Sequence, residues 1–331
     1  MRRMRVNVAR TREKMLRPYS GAISLIASGL AVWSVFPPAT AKAQLFLAEG
    51  ESNTIGEYTT SGQTVNASLV SGLGSPDGLA IAGSDIFVAN TSAGTIGEYT
   101  TSGQTVNASL ISGLSYATGI AVSGSTIFVS NVGQPWPNNT GDGWIGEYTT
   151  SGATVNSSLI TGLTSPQGIV VSGSNLFVAT GGTTNFGQHF GRIAEFTTGG
   201  TIINSALVSA LGNPDGIAMS GSDLFVVDNV YDQVGEYTTS GTTVNASLIT
   251  GLFAPHDITV SGSDLYITSG FGPIGTTVGI GEYTKSGAMV SETPVSGEYV
   301  PNGIGVAPVP EPGAISLLLL GAFATLRRHR R

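Results

Sequence analysis

Short apolar runs alternate with turns of Gly, Ser, Asp and Asn along most of the chain. The heptapeptide GEYTTSG stands at 56–62, 97–103, 146–152 and 235–241, with degenerate copies at 194–200 and 281–287. The glutamates of successive copies are 41 to 49 residues apart. Each period holds four runs of four to eight residues that are rich in Val, Ile, Thr, Tyr and Phe, and this pattern predicts β-strands.

Counting the runs predicts how the strands assemble. We name them A, B, C and D, after GLAIAG, DIFVAN, IGEYTT and TVNASLV, and runs A and B each occur six times. The chain begins with B, C and D after residue 43 and ends with a lone A run at 303–306. Four strands in roughly 40–50 residues is the period of a propeller blade. We therefore predict an all-β, six-bladed β-propeller of four-stranded antiparallel blades, closed by the C-terminal strand joining the N-terminal blade, with flanking signal and sorting helices.

The repeat also resembles a known group of propellers. The segments PDGIAMSGSDLFVVDN at 214–229 and VGEYTTSG at 234–241 are similar to NHL-type repeats and to the wider gluconolactonase-like and TolB-like group. The resemblance covers nearly all of 44–307 and implies a six-bladed propeller. It also implies a divalent metal near the axis, because gluconolactonase-like propellers use a ring of acidic and Asn residues for one. This chain departs from the NHL pattern in having almost no basic residues around the second strand.

The N-terminus reads as a secretory signal, domain 1–43. Seven basic residues and one acid precede residue 19, and an apolar run follows at 21–36. Ala41 and Ala43 then stand as in an A-x-A cleavage site, which predicts cleavage between Ala43 and Gln44. The propeller is predicted to span 44–308.

The C-terminal segment 309–331 resembles the PEP-CTERM sorting tail of exported bacterial proteins. Pro310, Glu311 and Pro312 precede an apolar stretch at 313–326, and Arg327 and Arg328 begin a terminal arginine cluster. The resemblance implies recognition by an exosortase near Pro-Glu-Pro. At 14 residues the stretch is shorter than the roughly 20 needed to span a bilayer comfortably, which favours transient insertion. An ordinary membrane anchor and a buried C-terminal helix are the alternatives. We expect secretion, an inner-membrane intermediate, and then release to the cell surface or the medium.

Charge and cysteine content exclude several functions. Residues 44–312 contain 20 acids against two bases, Arg192 and Lys285, a net charge of about −18. Such a surface repels nucleic acid, so no nucleic-acid partner is expected. The absence of cysteine excludes disulfides, thiolate metal sites and a cysteine nucleophile.

One face of the predicted propeller concentrates the variation between blades. The B–C loops are enlarged at 131–144, 180–192 and 269–280, and they share a face with the D–A turns. Those turns place Asp77, Thr118, Gln167, Asp215, His256 with Asp257, and Asn302 around the axis. Because variable loops on a rigid frame commonly carry binding sites, we expect a ligand there, and sequence drift in exposed loops is the alternative explanation.

Two sets of candidate site residues lie on this face. Aromatic and His side chains there suit sugar rings, and packing of the loops onto the blades is the alternative role. This first set comprises Trp136, Trp144, Phe186, His189, Phe190 and His256. Oxygen ligands near the axis suit Ca²⁺ or another divalent cation. The second set comprises Asp215, Asp228, Asp257 and Asn131.

Two functions fit the sequence. The first is a non-catalytic binding or scaffold module at the cell surface, with a polysaccharide or another surface protein as its partner. The second is a metal-dependent lactonase or hydrolase of the gluconolactonase-like kind, which rests on the acidic ring. His256 and Asp257 are a candidate general-base pair for it, although capping a turn is the favoured role of this dipeptide. The first is favoured, because no catalytic signature accompanies the repeat.

Overall fold

The computed structural model describes residues 43–133, 142–181, 190–271, 277–294 and 300–307. Within them the chain forms 24 strands in six four-stranded antiparallel sheets. The predicted sorting tail and the signal up to residue 42 lie outside these residues. No helix that could cross a membrane occurs among the described residues.

Each blade runs from an inner strand at the axis to an outer strand at the rim. Blade 1 contains β1 (Gln44–Glu49), β2 (Thr54–Thr59) and β3 (Thr64–Ser71), with β24 (Gly303–Ala307) as its inner strand. The strands of blades 2 to 6 follow in chain order. They are β4 (Pro76–Ala82), β5 (Asp85–Asn90), β6 (Thr95–Thr100) and β7 (Thr105–Ser112); β8 (Ala117–Ser123), β9 (Thr126–Asn131), β10 (Gly143–Thr149) and β11 (Thr154–Leu163); β12 (Ile169–Ser172), β13 (Asn175–Thr180), β14 (Gly191–Thr197) and β15 (Ile202–Leu211); β16 (Pro214–Ser220), β17 (Asp223–Asp228), β18 (Gln233–Thr238) and β19 (Thr243–Thr250); and β20 (Ile258–Ser261), β21 (Asp264–Phe271), β22 (Thr277–Thr284) and β23 (Met289–Pro294).

The closure of the ring is the one predicted from the lone A run. Strand β24 pairs antiparallel with β1, from Gln44 opposite Ala307 to Ala48 opposite Gly303. The first and last parts of the propeller thus share a sheet, which leaves no open inner edge. The six-bladed all-β prediction is confirmed.

Burial follows the position of each strand within its blade. The second strand of a blade is buried on both faces, as in β5 and β17, because a neighbouring blade covers each side. The outer strands of blades 1 to 5 start with three exposed residues, as in β7 and β19. Six apolar clusters lie at the junctions between adjacent blades in the described structure, and Phe87 of blade 2 with Ile127 and Tyr148 of blade 3 belong to one of them.

The repeated Gly-Glu-Tyr has a packing explanation. Gly97 precedes Tyr99 by two positions on the same face of β6, and a Cβ atom on Gly97 would lie 2.6 Å from the ring and hydroxyl of Tyr99. Blade 4 is the exception, because it combines Ala194 with Phe196, which has no hydroxyl. The glycine thus makes room for a tyrosine that fills an inter-blade junction.

Each outer strand of blades 1 to 5 contains a bulge. In β3, Asn66 lies opposite Glu57 and Val70 lies opposite Ile55, so four residues of the outer strand span two of its neighbour. The Asn66 Oδ1 accepts the backbone N–H of Ser68 at 3.1 Å. The asparagines at the same position of the next four blades make the same bond, and they are Asn107, Asn156, Asn204 and Asn245.

The structure corrects the predicted extent of two loops. In the segment predicted as a loop at 269–280, the described residues 269–271 and 277–280 are strand, because β21 and β22 pair up to Phe271 opposite Thr277. Trp144, predicted in a loop, lies in β10 opposite Asn131. Thr277 and Val278 at the start of β22, and Gly143 and Trp144 at the start of β10, extend these strands beyond the repeat pattern.

Candidate functional site

A ring of polar side chains surrounds the propeller axis, one at the start of each inner strand. Each stands directly before the first residue of the motif that begins the inner strand, which is a glycine in five blades and Asp257 in blade 6. The ring residues are Asp77, Thr118, Gln167, Asp215, His256 and Asn302, and all line one channel. The channel has a volume of about 280 Å³, and its deeper walls are apolar residues of the inner strands.

The glycines allow the inner strands to approach each other closely. A Cβ atom on Gly78 would lie 2.1 Å from the carbonyl oxygen of Thr118 in the next blade, and one on Gly119 would lie 2.3 Å from that of Gln167. A Cβ atom on Gly303 would lie 2.2 Å from the carbonyl oxygen of Asp77. No side chain fits at these positions, so backbone packing fixes the ring residues around the channel.

Asp257 occupies the position that is a glycine in the other five blades. Its Oδ2 accepts the backbone N–H of Ile304 in blade 1 at 2.9 Å, and its Oδ1 accepts its own neighbour's N–H, on Ile258, at 2.8 Å. Burial raises the pKa of Asp257 to about 7, with the charges of Asp215 and Asp77 adding to the rise and the two N–H groups opposing it. This carboxylate therefore bridges the blade 6–blade 1 junction beside the channel.

His256 and Asp215 form a pair at the channel mouth. The Nδ1 of His256 lies 3.3 Å from Oδ2 of Asp215, and their side chains are 38% and 25% exposed. Burial lowers the pKa of His256, but the hydrogen bond and charge of Asp215, together with Asp77 and Asp257, outweigh it and the net shift is upward. The imidazole is thus biased toward the cation by the carboxylates around it.

Asp77 lies in blade 2, three blades away from Asp215 in blade 5, so the two face each other across the axis of a six-bladed ring. Burial raises the pKa of Asp77 to about 7, the charge of Asp215 raises it further, and His256 opposes the shift. Part of the Asp77 surface still contacts the channel. The charges of Asp215 and His256 therefore act in opposite directions on the ionisation of Asp77.

A groove adjoins the channel at the junction of blades 1 and 6. Its volume is about 560 Å³, and it shares His256 and Asn302 with the channel. Glu51 lies in its wall, as does Phe253, whose side chain is 43% exposed. Together the channel and the groove form a site with the aromatic side chain of Phe253 at one end and the channel carboxylates at the other.

Two of the four predicted metal ligands have structural roles away from the channel. Asp228 is buried at the end of β17, where its carboxylate accepts the N–H groups of Gly212 at 2.7 Å and Asn213 at 3.0 Å. Asn131 is also buried, accepts the N–H of Ser115 at 3.3 Å and donates to the carbonyl of Val129 at 3.2 Å. Both side chains hold D–A turns in place.

The structure therefore brings together only Asp215 and Asp257 of that predicted metal set. In the part of the chain that the structure describes, no group of three or more His, Cys, Asp and Glu side chains is disposed to hold a metal ion. The carboxylates around the channel are spread over a ring instead of converging on one point.

The predicted aromatic set is described only in part. Trp136, Phe186 and His189 lie outside the described residues, Trp144 is half-buried in β10, and Phe190 is 43% exposed beside β14. Three further exposed aromatic residues on this face were missed, and they are Tyr116, Tyr231 and Phe253. Their signal in the sequence was a large ring in a D–A or B–C turn at positions where most other blades have a smaller residue, such as Ser75 for Tyr116, Gly74 for Phe253 and Ser52 for Tyr231.

Comparisons with known proteins support the fold. No family model matches the chain, and no curated protein matches it. A solved nidogen/laminin complex contains a chain that is 19% identical, with a TM-score of 0.64 over 81% of this chain and 100% of that one. A gluconolactonase from Xanthomonas campestris is 13% identical, with a TM-score of 0.55 over 71% and 86%. Regucalcin from Agrobacterium tumefaciens, a calcium-binding protein, is 14% identical, with a TM-score of 0.51 over 68% and 76%.

At these identities the likeness establishes the fold alone. The chain is a six-bladed β-propeller with gluconolactonase-like structural neighbours, which confirms the fold part of the resemblance. The neighbours include both a chain from a protein–protein complex and an enzyme, so function has to be argued from the site of this chain.

Proposed function

We propose that this propeller is a non-catalytic binding module that takes a carbohydrate or a similarly hydroxylated ligand at the channel and groove. The observation that carries the proposal is that the channel and the groove are continuous, because both are lined by His256 and Asn302. An exposed Phe253 beside a polar rim supplies a stacking surface and hydrogen-bonding groups, the combination that suits sugar rings. The groove volume falls within the roughly 300–1,000 Å³ of small-molecule sites.

We further propose that the chain is exported and sorted through its tail. Support comes from the A-x-A pattern at Ala41 and Ala43 and from Pro-Glu-Pro at 310–312, which flank a complete propeller. The secretion machinery and an exosortase are then partners during transit, and the cell surface or extracellular matrix is the destination. Fractionation that finds unprocessed chain in the cytoplasm would overturn this part.

Binding is tested with the purified full-length chain on an array of immobilised oligosaccharides. We expect a small set of glycans to bind, and Phe253→Ala to lose that binding. Tyr116→Ala is the matched control, because Tyr116 is an exposed aromatic on the same face that does not line the groove. An array without a Phe253-dependent signal would contradict the proposal.

The alternative hydrolase makes a different prediction. The contact between His256 and Asp215 would supply a general base, and a metal would have to bind beside it. Turnover of a lactone that a chelator abolishes, and that His256→Gln removes, would favour that alternative over binding alone.

A further inference from the structure

The channel presents negative charge that protein groups compensate only in part. Asp77, Asp215 and Asp257 line it, and no lysine or arginine is among its lining residues in the described part of the chain. Asp215 has His256 as its partner, and Asp257 accepts two backbone N–H groups. No described residue donates a hydrogen bond to the Asp77 carboxylate, which is largely buried in the wall of the channel.

The two bases within residues 44–312 do not neutralise the channel. Arg192 lies at the start of β14 and donates to Thr180 at 3.4 Å. Lys285 lies at the opposite end of its blade, in a C–D turn, and donates to Ser220. Anionic ligands are therefore repelled from the channel, whereas a cation gains from at least two carboxylates.

The geometry distinguishes between kinds of cation. A divalent metal needs several oxygen ligands within about 2.3–2.6 Å of one point, and the described acidic groups do not gather in that way. Asp77 and Asp215 instead lie on opposite sides of the channel, with Thr118 and Gln167 between them on one side of the ring and His256 and Asn302 on the other. An ammonium group has three N–H donors that point in different directions, which suits acceptors distributed around it.

We infer that the channel binds the primary ammonium group of a hydroxylated amine, such as an amino sugar, between Asp77 and Asp215, while the rest of the ligand lies in the groove against Phe253. The inference rests on the proposed function, because it takes the same site and adds the charge of the ligand. The ligand enters at His256 and Asn302, where the groove and the channel meet.

Titration of the ring gives the inference a second signature. The pKa of Asp77 and that of Asp257 are both raised to about 7, and Asp215, His256 and Asp257 are the titratable groups that face Asp77. A bound cation favours the ionised carboxylates, so protons leave the protein as the amine binds. At pH 7 we therefore expect a net release of protons on binding.

The test is calorimetric titration of the full-length chain with D-glucosamine and with D-glucose, in two buffers of different ionisation enthalpy. We expect glucosamine to bind about tenfold or more tightly than glucose, with proton release. Asp77→Asn and Asp215→Asn should each remove that advantage. Asp223→Asn should keep it, because Asp223 lies in blade 5 like Asp215 but at the opposite end.

The other possible outcomes separate the ammonium inference from the proposed function. Equal binding of the two sugars that Phe253→Ala abolishes would overturn the ammonium inference and leave the proposed function standing. Binding of CaCl₂ that Asp77→Asn abolishes, in competition with glucosamine, would assign the carboxylates to a metal instead. Absence of binding by either sugar would overturn the inference, and an empty glycan array would then overturn the proposed function as well.

Discussion

The carboxylate of Asp257 in blade 6 accepts the backbone N–H of Ile304 in blade 1 at 2.9 Å. The bond joins the start of β20, the inner strand of blade 6, to β24, which closes the ring by pairing with β1. Of the six inner-strand positions equivalent to 257, five are glycine, so the carboxylate appears only at the junction where the two ends of the propeller meet.

Removing this carboxylate should weaken the closure. In Asp257→Ala the N–H groups of Ile304 and Ile258 lose their acceptor while buried, which costs about 1–3 kcal/mol of unfolding free energy. Urea unfolding measures the change, and Asp257→Asn, which retains an amide oxygen, should fall between the variant and the parent. A midpoint for Asp257→Ala equal to that of the parent would show that the bond does not contribute to closure.

Asp77→Asn should stabilise the protein in a pH-dependent way. Because burial raises the folded-state pKa of Asp77 from 3.8 to about 7, ionisation penalises the folded state progressively as the pH rises through that interval. Asparagine has no such penalty. We expect the variant to gain about 1–3 kcal/mol over the parent at pH 8 and nothing comparable at pH 4, after allowing for screening by channel water.

Thermal unfolding at a series of pH values checks this expectation. Thr118→Ser alters the same ring without changing a titratable group and serves as the control. A stability difference for Asp77→Asn that is the same from pH 4 to pH 8 would contradict the titration of Asp77 in the folded channel.

Asp228→Ala should separate stability from ligand binding. Its carboxylate holds the N–H groups of Gly212 and Asn213 in a buried turn, so its loss should cost about 2–4 kcal/mol. Affinity for a ligand of the channel should stay unchanged below the unfolding transition. Calorimetry measures the affinity and urea unfolding measures the stability. Asp215→Ala is the comparison variant and is expected to lose affinity. A loss of affinity in Asp228→Ala as well as of stability would place Asp228 in the site.

Gly78→Ala should disturb the axial packing. A Cβ atom there meets the Thr118 carbonyl at 2.1 Å, so the inner strands of blades 2 and 3 must separate, at a cost of about 1–3 kcal/mol. Gly199→Ala is the matched control, because the nearest atom to a Cβ there is 3.7 Å away and its φ is not positive. Equal unfolding midpoints for the two variants would contradict the close approach of the inner strands.

The blade count could be predicted because one strand was left over. A lone A run at 303–306 had a single place to go, beside the strand at residue 44, and the structure forms that pairing. The polar ring could also be predicted, since each member directly precedes the first residue of the repeated inner-strand motif. Periodicity alone carried these conclusions.

The sequence repeat did not predict the direction in which individual side chains point. Asp228 and Asp215 are both acids close to the loop face, but Asp228 points under the D–A turn while Asp215 lines the channel. The pleat alternates side chains from one face of a strand to the other, and the irregular pairing between Pro214 and Ile217 shifts this alternation at the strand start. A sequence repeat does not report such a local shift.

The bulges of the outer strands protect the rim of the propeller against its own repetition. The outer strands of blades 1 to 5 carry no charge and no proline, and nearly identical unpaired edges of this kind are templates for pairing between molecules. The bulge held by Asn66 and its four counterparts interrupts each edge after three residues. Many copies of this chain can therefore be crowded together without their blades pairing into amyloid-like sheets.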